Sequence, residues 1–203
     1  MGVTLQSFNY MCRWVKPQHR SICELGDQQF MCCNLFPEGS YTKTYWQNKG
    51  LEHIYLDING RGGSLMVDLN EDIDIDKQFD IITDFGTLEH VNDFYMGFKN
   101  VHKICKTRGL IIHILPAPGH WPDHGTWRAG VGFFMKLSKS MKYDLLDCHI
   151  EPTYIGGTDA DQIYVVMEKK SENDFVDRET FDTFGCIKEY DDEIYEKGKG
   201  RIT

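Results

Sequence analysis

The stretch FDIITDFGTLEHV, residues 79–91, passes from the pattern of a β-strand to that of a helix within a few residues. Phe79, Ile81 and Ile82 form a short apolar run rich in β-branched residues, which favours a buried strand. Further along, apolar residues recur every three or four positions, which is the spacing of one helix face. These residues are Leu88, Val91, Phe94, Tyr95, Phe98, Val101 and Cys105. Between the two patterns lies a seam, residues 84–90, in which polar side chains are crowded together.

The bulk properties restrict the class of protein. A chain of 203 residues with 41% hydrophobic and 26% charged content is typical of one globular domain with a buried core. The net charge of −9 argues against nucleic acid as a partner, because phosphate binding needs clustered Lys and Arg. No apolar run approaches the roughly 20 residues that span a bilayer, and the first residues do not resemble a secretory signal. Seven scattered cysteines indicate a reducing compartment, so we expect a cytoplasmic protein without a membrane partner.

Strand-like and helix-like segments alternate along most of the chain. Strands are predicted at 21–25, 53–57, 64–68, 79–85, 109–115, 143–150 and 162–168, and helices at 5–15, 40–50 and 92–106 and around 133–137. Asn92 is the predicted N-cap of the third helix. Such alternation predicts an α/β three-layer sandwich with a mostly parallel sheet and an N-terminal helix. We expect one domain over residues 1–170, followed by an acidic C-terminal extension over residues 171–203.

Acidic residues and glycines fall where the predicted strands end. They are Glu24, Gly26, Asp57, Asp68, Asp84 and Gly86. In an open parallel sheet, ligands bind beyond the carboxyl ends of the strands, near the point where the strand order reverses. Asp and Gly are also ordinary turn residues, and that explanation would suffice for any one of them. An acidic side chain at four successive strand ends exceeds what turns require, so this edge is predicted to bind a ligand.

The same residues resemble the Rossmann-like class of S-adenosylmethionine-dependent methyltransferases over about residues 20–170. Glu-Leu-Gly at 24–26 resembles the start of the family's first motif, and Asp57 resembles the acidic residue that ends its second strand. Asp68 with Leu69 resembles the pair beside the adenine, and Gly-Thr-Leu-Glu-His-Val at 86–91 resembles the end of the fourth motif.

That resemblance implies a seven-stranded sheet whose last strand pair is antiparallel, and S-adenosyl-L-methionine as cofactor. Asp57 would accept hydrogen bonds from the ribose hydroxyls, Asp68 would accept one from the adenine amine, and Glu24 would orient the ammonium group through water. Gly86 would leave room for the methionine arm. The predicted cofactor contacts are Glu24, Gly26, Asp57, Asp68, Leu69, Asp84, Phe85 and Gly86.

The first loop departs from the family pattern. After Gly26, the two positions where the family has further glycines hold Gln28 and Phe30. This predicts a shifted loop or a weaker site, and it keeps open a catalytically inactive protein that only binds a ligand or a partner. A nicotinamide-dependent oxidoreductase is disfavoured, because nothing equivalent to a G-x-G-x-x-G phosphate loop is present.

The loop after the fifth strand offers residues for catalysis. His120 and His124 are the candidates for a general base or a substrate contact, with Trp121 and Trp127 beside the substrate. Ordinary loop histidines remain an equal alternative. The predicted reaction is methylation of a small polar molecule, such as a sugar.

A metal site is disfavoured by the local sequence. His120-x-x-x-His124 with Asp123 has ligand-like spacing, but Pro122 makes a regular helix across the pair unfavourable, and no C-x-x-C pair exists. Glu89 in the seam either begins a helix, where a carboxylate opposes the dipole, or contacts a ligand with His90.

Overall fold

A seven-stranded sheet forms the centre of the molecule in the computed structural model, which describes residues 2–31, 36–37, 39–121, 124–155 and 158–188. Its strands are β1 Ser21–Leu25, β2 Glu52–Asp57, β3 Leu65–Met66, β4 Phe79–Phe85, β5 Cys105–Pro116, β6 Asp144–Ile155 and β7 Thr158–Glu168. Two short pairs lie outside this sheet. Gly2–Val3 pairs with Gln29–Phe30 in parallel, and Trp127–Arg128 pairs with Ile187–Lys188 in antiparallel orientation.

The strand order across the sheet is β3-β2-β1-β4-β5-β7-β6. Every neighbouring pair among the first five strands is parallel, and β7 runs antiparallel to both β5 and β6. The predicted mostly parallel sheet with an antiparallel final pair is therefore confirmed. The chain builds outward from β1 in one direction and from β4 in the other, so the order reverses between these two strands.

Helices cover both faces of the sheet, as predicted. They are α1 Leu5–Trp14, α2 Thr42–Asn48, α3 Phe94–Ile104, α4 Val131–Met141 and α5 Arg178–Asp182. Adjacent residues of β4 point to opposite faces: Ile82 packs in a cluster with Phe98 and Phe134, and Ile81 packs in another with Met11 and Trp46. In the described ranges, no helix combines the length and apolar character needed to cross a bilayer.

The seam contains an extra element that the sequence patterns did not predict. A single 3₁₀ turn, Leu88–His90, separates β4 from α3. The N-cap of α3 is Asp93 rather than the predicted Asn92, because the Asp93 carboxylate accepts a hydrogen bond from the backbone N–H of Met96 at 3.0 Å.

Strand β5 begins four residues earlier than predicted. Cys105 pairs with Phe79, and the register then shifts so that Leu110 pairs with Ile81. Arg108 lies in this bulge with a φ of +65°, and its N–H donates to the carbonyl of Lys169 at 2.6 Å. The sequence did not predict this part of the strand, because its polar residues lie in the bulge and do not follow the pattern of a regular strand.

The described part of the C-terminal extension packs on the domain. Phe181 of α5 is 1% exposed and lies in the same apolar cluster as Phe94 and Phe133. The Tyr95 hydroxyl donates to the carbonyl of Val176 at 3.1 Å. The predicted boundary at residue 170 stays a prediction, and residues 189–203 lie outside the described ranges.

Candidate active site

Two sharp turns mark the point where the strand order reverses. Gly26 follows β1 with a φ of +77°, and its N–H donates to the carbonyl of Leu56 at 2.7 Å. Gly86 follows β4 with a φ of +78°, and its N–H donates to the carbonyl of Ile114 at 3.1 Å. Because side chains rarely adopt this backbone conformation, glycine allows both strands to end abruptly at the same edge.

The first loop folds inward at the positions where the family has glycines. Gln28 is fully buried, and its side-chain amide donates to the carbonyl of Leu25 at 2.6 Å. Phe30 is also buried, and its ring stacks on Phe36 with centroids 4.1 Å apart. The departure from the family pattern is therefore accommodated by packing this loop into the core beside α1.

Two buried acceptors in this loop have no hydrogen-bond donor among the described residues. They are Asp27 Oδ1 and Gln28 Oε1. Burial, reinforced by the charge of Asp57, raises the pKa of Asp27. Unsatisfied buried acceptors are uncommon in folded proteins and indicate that a ligand or water completes them. The sequence patterns missed both residues, because glutamine and aspartate in a loop carry no motif.

The carboxylates of Asp57 and Asp68 leave the same edge of the sheet. Asp57 ends β2 half-buried, and its two oxygens accept from the N–H groups of Asp27 at 2.8 Å and Asn59 at 2.9 Å. The N–H of Val67 donates to the Asp57 carbonyl at 3.1 Å, which places Asp68 one residue beyond. Carboxylate oxygens have further lone pairs, so both groups retain capacity to accept from a ligand.

Asp68 is exposed and connects to α3 through Asn70. Asp68 Oδ1 accepts from the Asn70 N–H at 2.9 Å and from its side-chain amide at 2.7 Å, and Asn70 Oδ1 accepts from the Asp93 N–H at 2.8 Å. Leu69 between them is buried in the main cluster. Asn70 also borders a cavity of about 430 Å³ that continues past Tyr95 and Trp127, so there is space beside this part of the edge.

Two of the predicted cofactor carboxylates, those of Glu24 and Asp84, are fully buried. Glu24 is fully buried and accepts from Thr42, from Trp46 Nε1 at 3.2 Å and from His53 Nε2 at 2.5 Å. The structure therefore gives its carboxylate a role in holding α2 against β1 and β2. A contact with the cofactor through water stays a prediction.

The buried carboxylate of Asp84 binds backbone N–H groups of the seam. Its Oδ1 accepts from the N–H groups of Thr87 at 3.0 Å and Leu88 at 3.2 Å, and its Oδ2 lies 2.8 Å from His113 Nδ1. Asp84 and His113 are both fully buried. The carboxylate thus caps the 3₁₀ turn, and its predicted contact with the cofactor is not tested by this arrangement.

Phe85 is 4% exposed and belongs to the cluster on the α1 face. It borders a small cavity of about 20 Å³ with Thr4, Ser7 and Ile114, which is room for about one water molecule. The predicted contact of Phe85 with the cofactor stays a prediction.

The two candidate histidines of the loop after β5 have different partners. His120 Nε2 lies 3.2 Å from Asp161 Oδ2 of β7, and about two fifths of its side chain is exposed. His124 instead points toward the seam. Buried Arg128 holds the loop between them by donating to the carbonyls of His120 at 3.3 Å and Trp121 at 2.8 Å.

The tryptophans of this loop differ as well. Trp127 stacks on Phe94 with centroids 5.4 Å apart, and its indole N–H donates to the carbonyl of Asn92 at 3.1 Å. Trp121 lies against the ring of His124. Pro122 and Asp123 lie outside the described residues.

Glu89, His90 and His124 form a cluster, called the Glu89 cluster below. Glu89 Oε1 lies 3.6 Å from His124 Nε2 and 3.7 Å from His90 Nε2. Burial raises the pKa of Glu89, although His124 opposes the shift. Burial, with the charge of His124, lowers the pKa of His90 to about 4. His124 thus meets two residues 34 and 35 positions earlier in the chain, a contact that the local spacing of His120 and His124 does not indicate.

The strand order defines a Rossmann-like fold, and comparison with solved structures shows that methyltransferases have the same fold. No protein-family model matches the chain, and no curated protein matches it in sequence. The similarity is therefore one of structure.

One similar structure is a 1,6-didemethyltoxoflavin-N1-methyltransferase from Burkholderia thailandensis with bound S-adenosylhomocysteine. It is 11% identical with a TM-score of 0.54 over 74% of this chain and 71% of that one. The N-methyltransferase NodS from Bradyrhizobium japonicum, also with S-adenosylhomocysteine, is 9% identical with a TM-score of 0.54 over 83% and 89%. A methyltransferase from Methanosarcina mazei is 10% identical with a TM-score of 0.56 over 80% and 98%.

Proposed function

We propose that the protein is an S-adenosylmethionine-dependent methyltransferase that acts on a small polar molecule, such as a sugar. The observation that carries the proposal is the edge at the reversal of strand order. There Asp57 ends β2 and Asp68 follows the end of the adjacent strand β3 by two residues, and the buried acceptors of Asp27 and Gln28 lack donors among the described residues. The fold is that of solved methyltransferases, two of which hold S-adenosylhomocysteine.

The donors and charges of the cofactor match this edge. The ribose diol supplies two hydroxyl donors for Asp57, and the adenine amine supplies one for Asp68. The cofactor's ammonium group supplies N–H donors for the acceptors of Asp27 and Gln28, at the end of β1. The cofactor also carries a positive sulfonium, and an edge lined by carboxylates favours a cation.

Methyl transfer from a sulfonium is an in-line displacement that depends on alignment of donor and acceptor. His120 is the proposed base for an acceptor hydroxyl, because Asp161 lies 3.2 Å from its Nε2 and stabilises the imidazolium once the proton has moved. His124, the other predicted catalytic residue, lies beside the seam and is proposed to contact the substrate end of the site.

An inactive binding protein is the second candidate. It is favoured by the first loop, where Gln28 and Phe30 fill the space that glycines leave open in the family. Such a protein would keep the fold and lose the methyl donor, so cofactor binding separates the two candidates.

The test measures binding first and transfer second. The thermal midpoint and the heat of binding are recorded with S-adenosylmethionine and with S-adenosylhomocysteine. A ligand at 100 times its Kd stabilises the native state by about 2.7 kcal/mol, which shifts the midpoint by several degrees. Release of S-adenosylhomocysteine in the presence of a panel of sugars then reports turnover. Absence of both heat and shift would contradict the proposal and favour the inactive protein.

A further inference from the structure

The Glu89 cluster contains a buried carboxylate whose neighbours do not satisfy it. The side chain of Glu89 is 1% exposed, and among the described residues neither of its oxygens accepts a hydrogen bond. Two basic atoms face Glu89 Oε1, His124 Nε2 at 3.6 Å and His90 Nε2 at 3.7 Å, and both lie beyond hydrogen-bonding distance. A buried carboxylate without donors is costly, so the arrangement indicates a group that is able to bind it.

The cluster is held in place by the backbone around it. The N–H of Thr126 donates to the Glu89 carbonyl at 2.6 Å, which fixes the loop after β5 on the 3₁₀ turn. Gly125 approaches so closely that an added Cβ would lie 2.6 Å from Glu89 Cγ. Asp84 caps the other end of the same turn. Glu89 and His124 are therefore brought together by two segments that are both fixed.

We propose that Glu89, His90 and His124 bind one divalent transition-metal ion, with Zn²⁺ as the cation of choice. One carboxylate oxygen and two imidazole nitrogens are a ligand set that zinc accepts. The imidazoles disfavour Mg²⁺ and Ca²⁺, which prefer oxygen ligands throughout.

The distances fit such an ion after small movements. Zinc binds nitrogen and oxygen at about 2.0–2.2 Å, so ligand atoms in a tetrahedral site lie about 3.4 Å apart. One ligand atom from each of Glu89, His90 and His124 lies within 4.8 Å of the others, and the two distances to Glu89 already lie within about 0.3 Å of that value. The rings of His90 and His124 pack edge to face with centroids 4.9 Å apart, so the two imidazoles lie side by side at the carboxylate.

Three protein ligands leave a fourth position for water or a substrate atom, as in catalytic zinc sites. About two fifths of each imidazole is exposed, so that position faces solvent. The sequence disfavoured a metal at His120-x-x-x-His124 because of Pro122, and nothing in it brought His124 together with Glu89 and His90. Zinc binding requires no methyl donor, so this inference stands independently of the proposed function.

The test is a calorimetric titration of ZnCl₂ into the full chain after dialysis against a chelator. We expect one ion per chain. Glu89→Gln, His90→Ala and His124→Ala should each lower the affinity at least about 100-fold, since removing even an outer-shell partner costs about 10–100-fold. His149→Ala is the matched control. His149 is also a partly exposed histidine between carboxylates, 2.8 Å from Asp147 and 3.1 Å from Glu151, and its loss should leave the zinc affinity unchanged.

A thermal melt of each variant without metal checks the fold. If Glu89→Gln does not fold, the zinc affinity of His124→Ala decides the test. The His124 side chain is partly exposed, so its removal should leave the fold intact. Zinc should raise the melting midpoint of the unmodified protein and of His149→Ala only. Absence of stoichiometric zinc binding, or binding that survives all three substitutions, would overturn the inference. Binding of S-adenosylmethionine is measured in a separate titration. Loss of zinc binding therefore contradicts this inference alone, and loss of S-adenosylmethionine binding contradicts the proposed function alone.

Discussion

The hydroxyl of Thr87 donates a hydrogen bond to the backbone carbonyl of Leu25 at 2.8 Å. This contact joins the turn after β4 to the end of β1, across the point where the strand order reverses. Gln28 donates to the same carbonyl from the other side. The edge proposed to bind the cofactor is therefore held together by the protein before any ligand arrives, which reduces the ordering that binding requires.

Thr87→Val should weaken both the fold and the proposed cofactor site. Valine keeps the shape of threonine and removes the donor, while Gln28 still satisfies the Leu25 carbonyl. We expect a loss of about 0.5–1.5 kcal/mol in the free energy of unfolding and weaker binding of S-adenosylmethionine. Urea denaturation and calorimetry measure the two effects. Thr87→Ser keeps the hydroxyl and should preserve both; equal losses in the two variants would assign the effect to packing.

Asp57→Ala should reduce cofactor affinity by roughly one to three orders of magnitude, because each hydrogen bond to a charged group contributes about 1.5–3 kcal/mol. Asp57 also accepts from Asp27 and Asn59, so its removal should shift the loop after β1 as well. Calorimetric titration with S-adenosylhomocysteine gives the affinity. Asp76→Ala, at an exposed position outside the site, is the control. An unchanged Kd for Asp57→Ala would remove this residue from the site.

His120→Ala should lower turnover by about 10²–10⁴-fold once an acceptor substrate is known, because a positioned general base contributes that much. Cofactor affinity should not change, since His120 pairs with Asp161 on β7 rather than with the carboxylates of the edge. Asp161→Asn should show a smaller loss of the same kind. Full turnover in His120→Ala would exclude it as the base.

Gly125→Ala should destabilise the protein more than Gly119→Ala does. The two glycines share nearly the same left-handed φ, +78° and +81°, so both substitutions introduce similar backbone strain. Among the described residues, the new methyl group meets a neighbour at Gly125, namely Glu89, and none at Gly119, so Gly125→Ala should add about 1–3 kcal/mol of overpacking. Thermal and urea unfolding of both variants measure the difference. Equal midpoints would show that the contact relaxes without cost.

Acid stability should depend on Asp80. Burial opposes its ionisation, but hydrogen bonds from Lys106 Nζ at 2.9 Å, from the backbone N–H of Arg20 and from the Ser21 hydroxyl outweigh it and lower the pKa of Asp80 to about 2. A depressed carboxyl pKa stabilises the fold above the unfolded value of 3.8, and this contribution is lost as the pH falls toward 2.

Asp80→Asn should therefore cost about 2 kcal/mol at pH 7, and the difference from the unmodified protein should shrink between pH 4 and pH 2. Urea unfolding at several pH values measures it. A difference that is constant with pH would show that Asp80 contributes through packing alone.

The alternation of strands and helices and the apolar character of β1, β4 and β5 are local patterns, so the sequence predicted the architecture and the carboxyl ends of β1, β2 and β4. Contacts between distant segments are not local. Nothing in the spacing of His124 indicates that Gly125 and Thr126 bring it to Glu89. Likewise Glu24 lies near the end of a predicted strand, so the sequence placed it at the edge of the sheet. In the structure its carboxylate is buried because Thr42 and Trp46 of α2 and His53 of β2 donate to it.

The cap of α3 was displaced by one residue for a related reason. Asn92 and Asp93 are both good caps, and only the course of the chain through the 3₁₀ turn decides which side chain reaches Met96. Asp93 also receives two hydrogen bonds from Arg178, 85 positions later, a contact that no short-range pattern encodes.

The burial of Phe181 against Phe94 and Phe133 governs how this protein should be produced in the laboratory. A protein expressed without the residues after 170 would lack Phe181. The aromatic side chains of Phe94 and Phe133 would then be exposed as an apolar surface that favours aggregation. Recombinant versions should extend at least through Phe184, which packs on Phe133 and Phe181. Purification tags are better attached beyond that point than inserted before it.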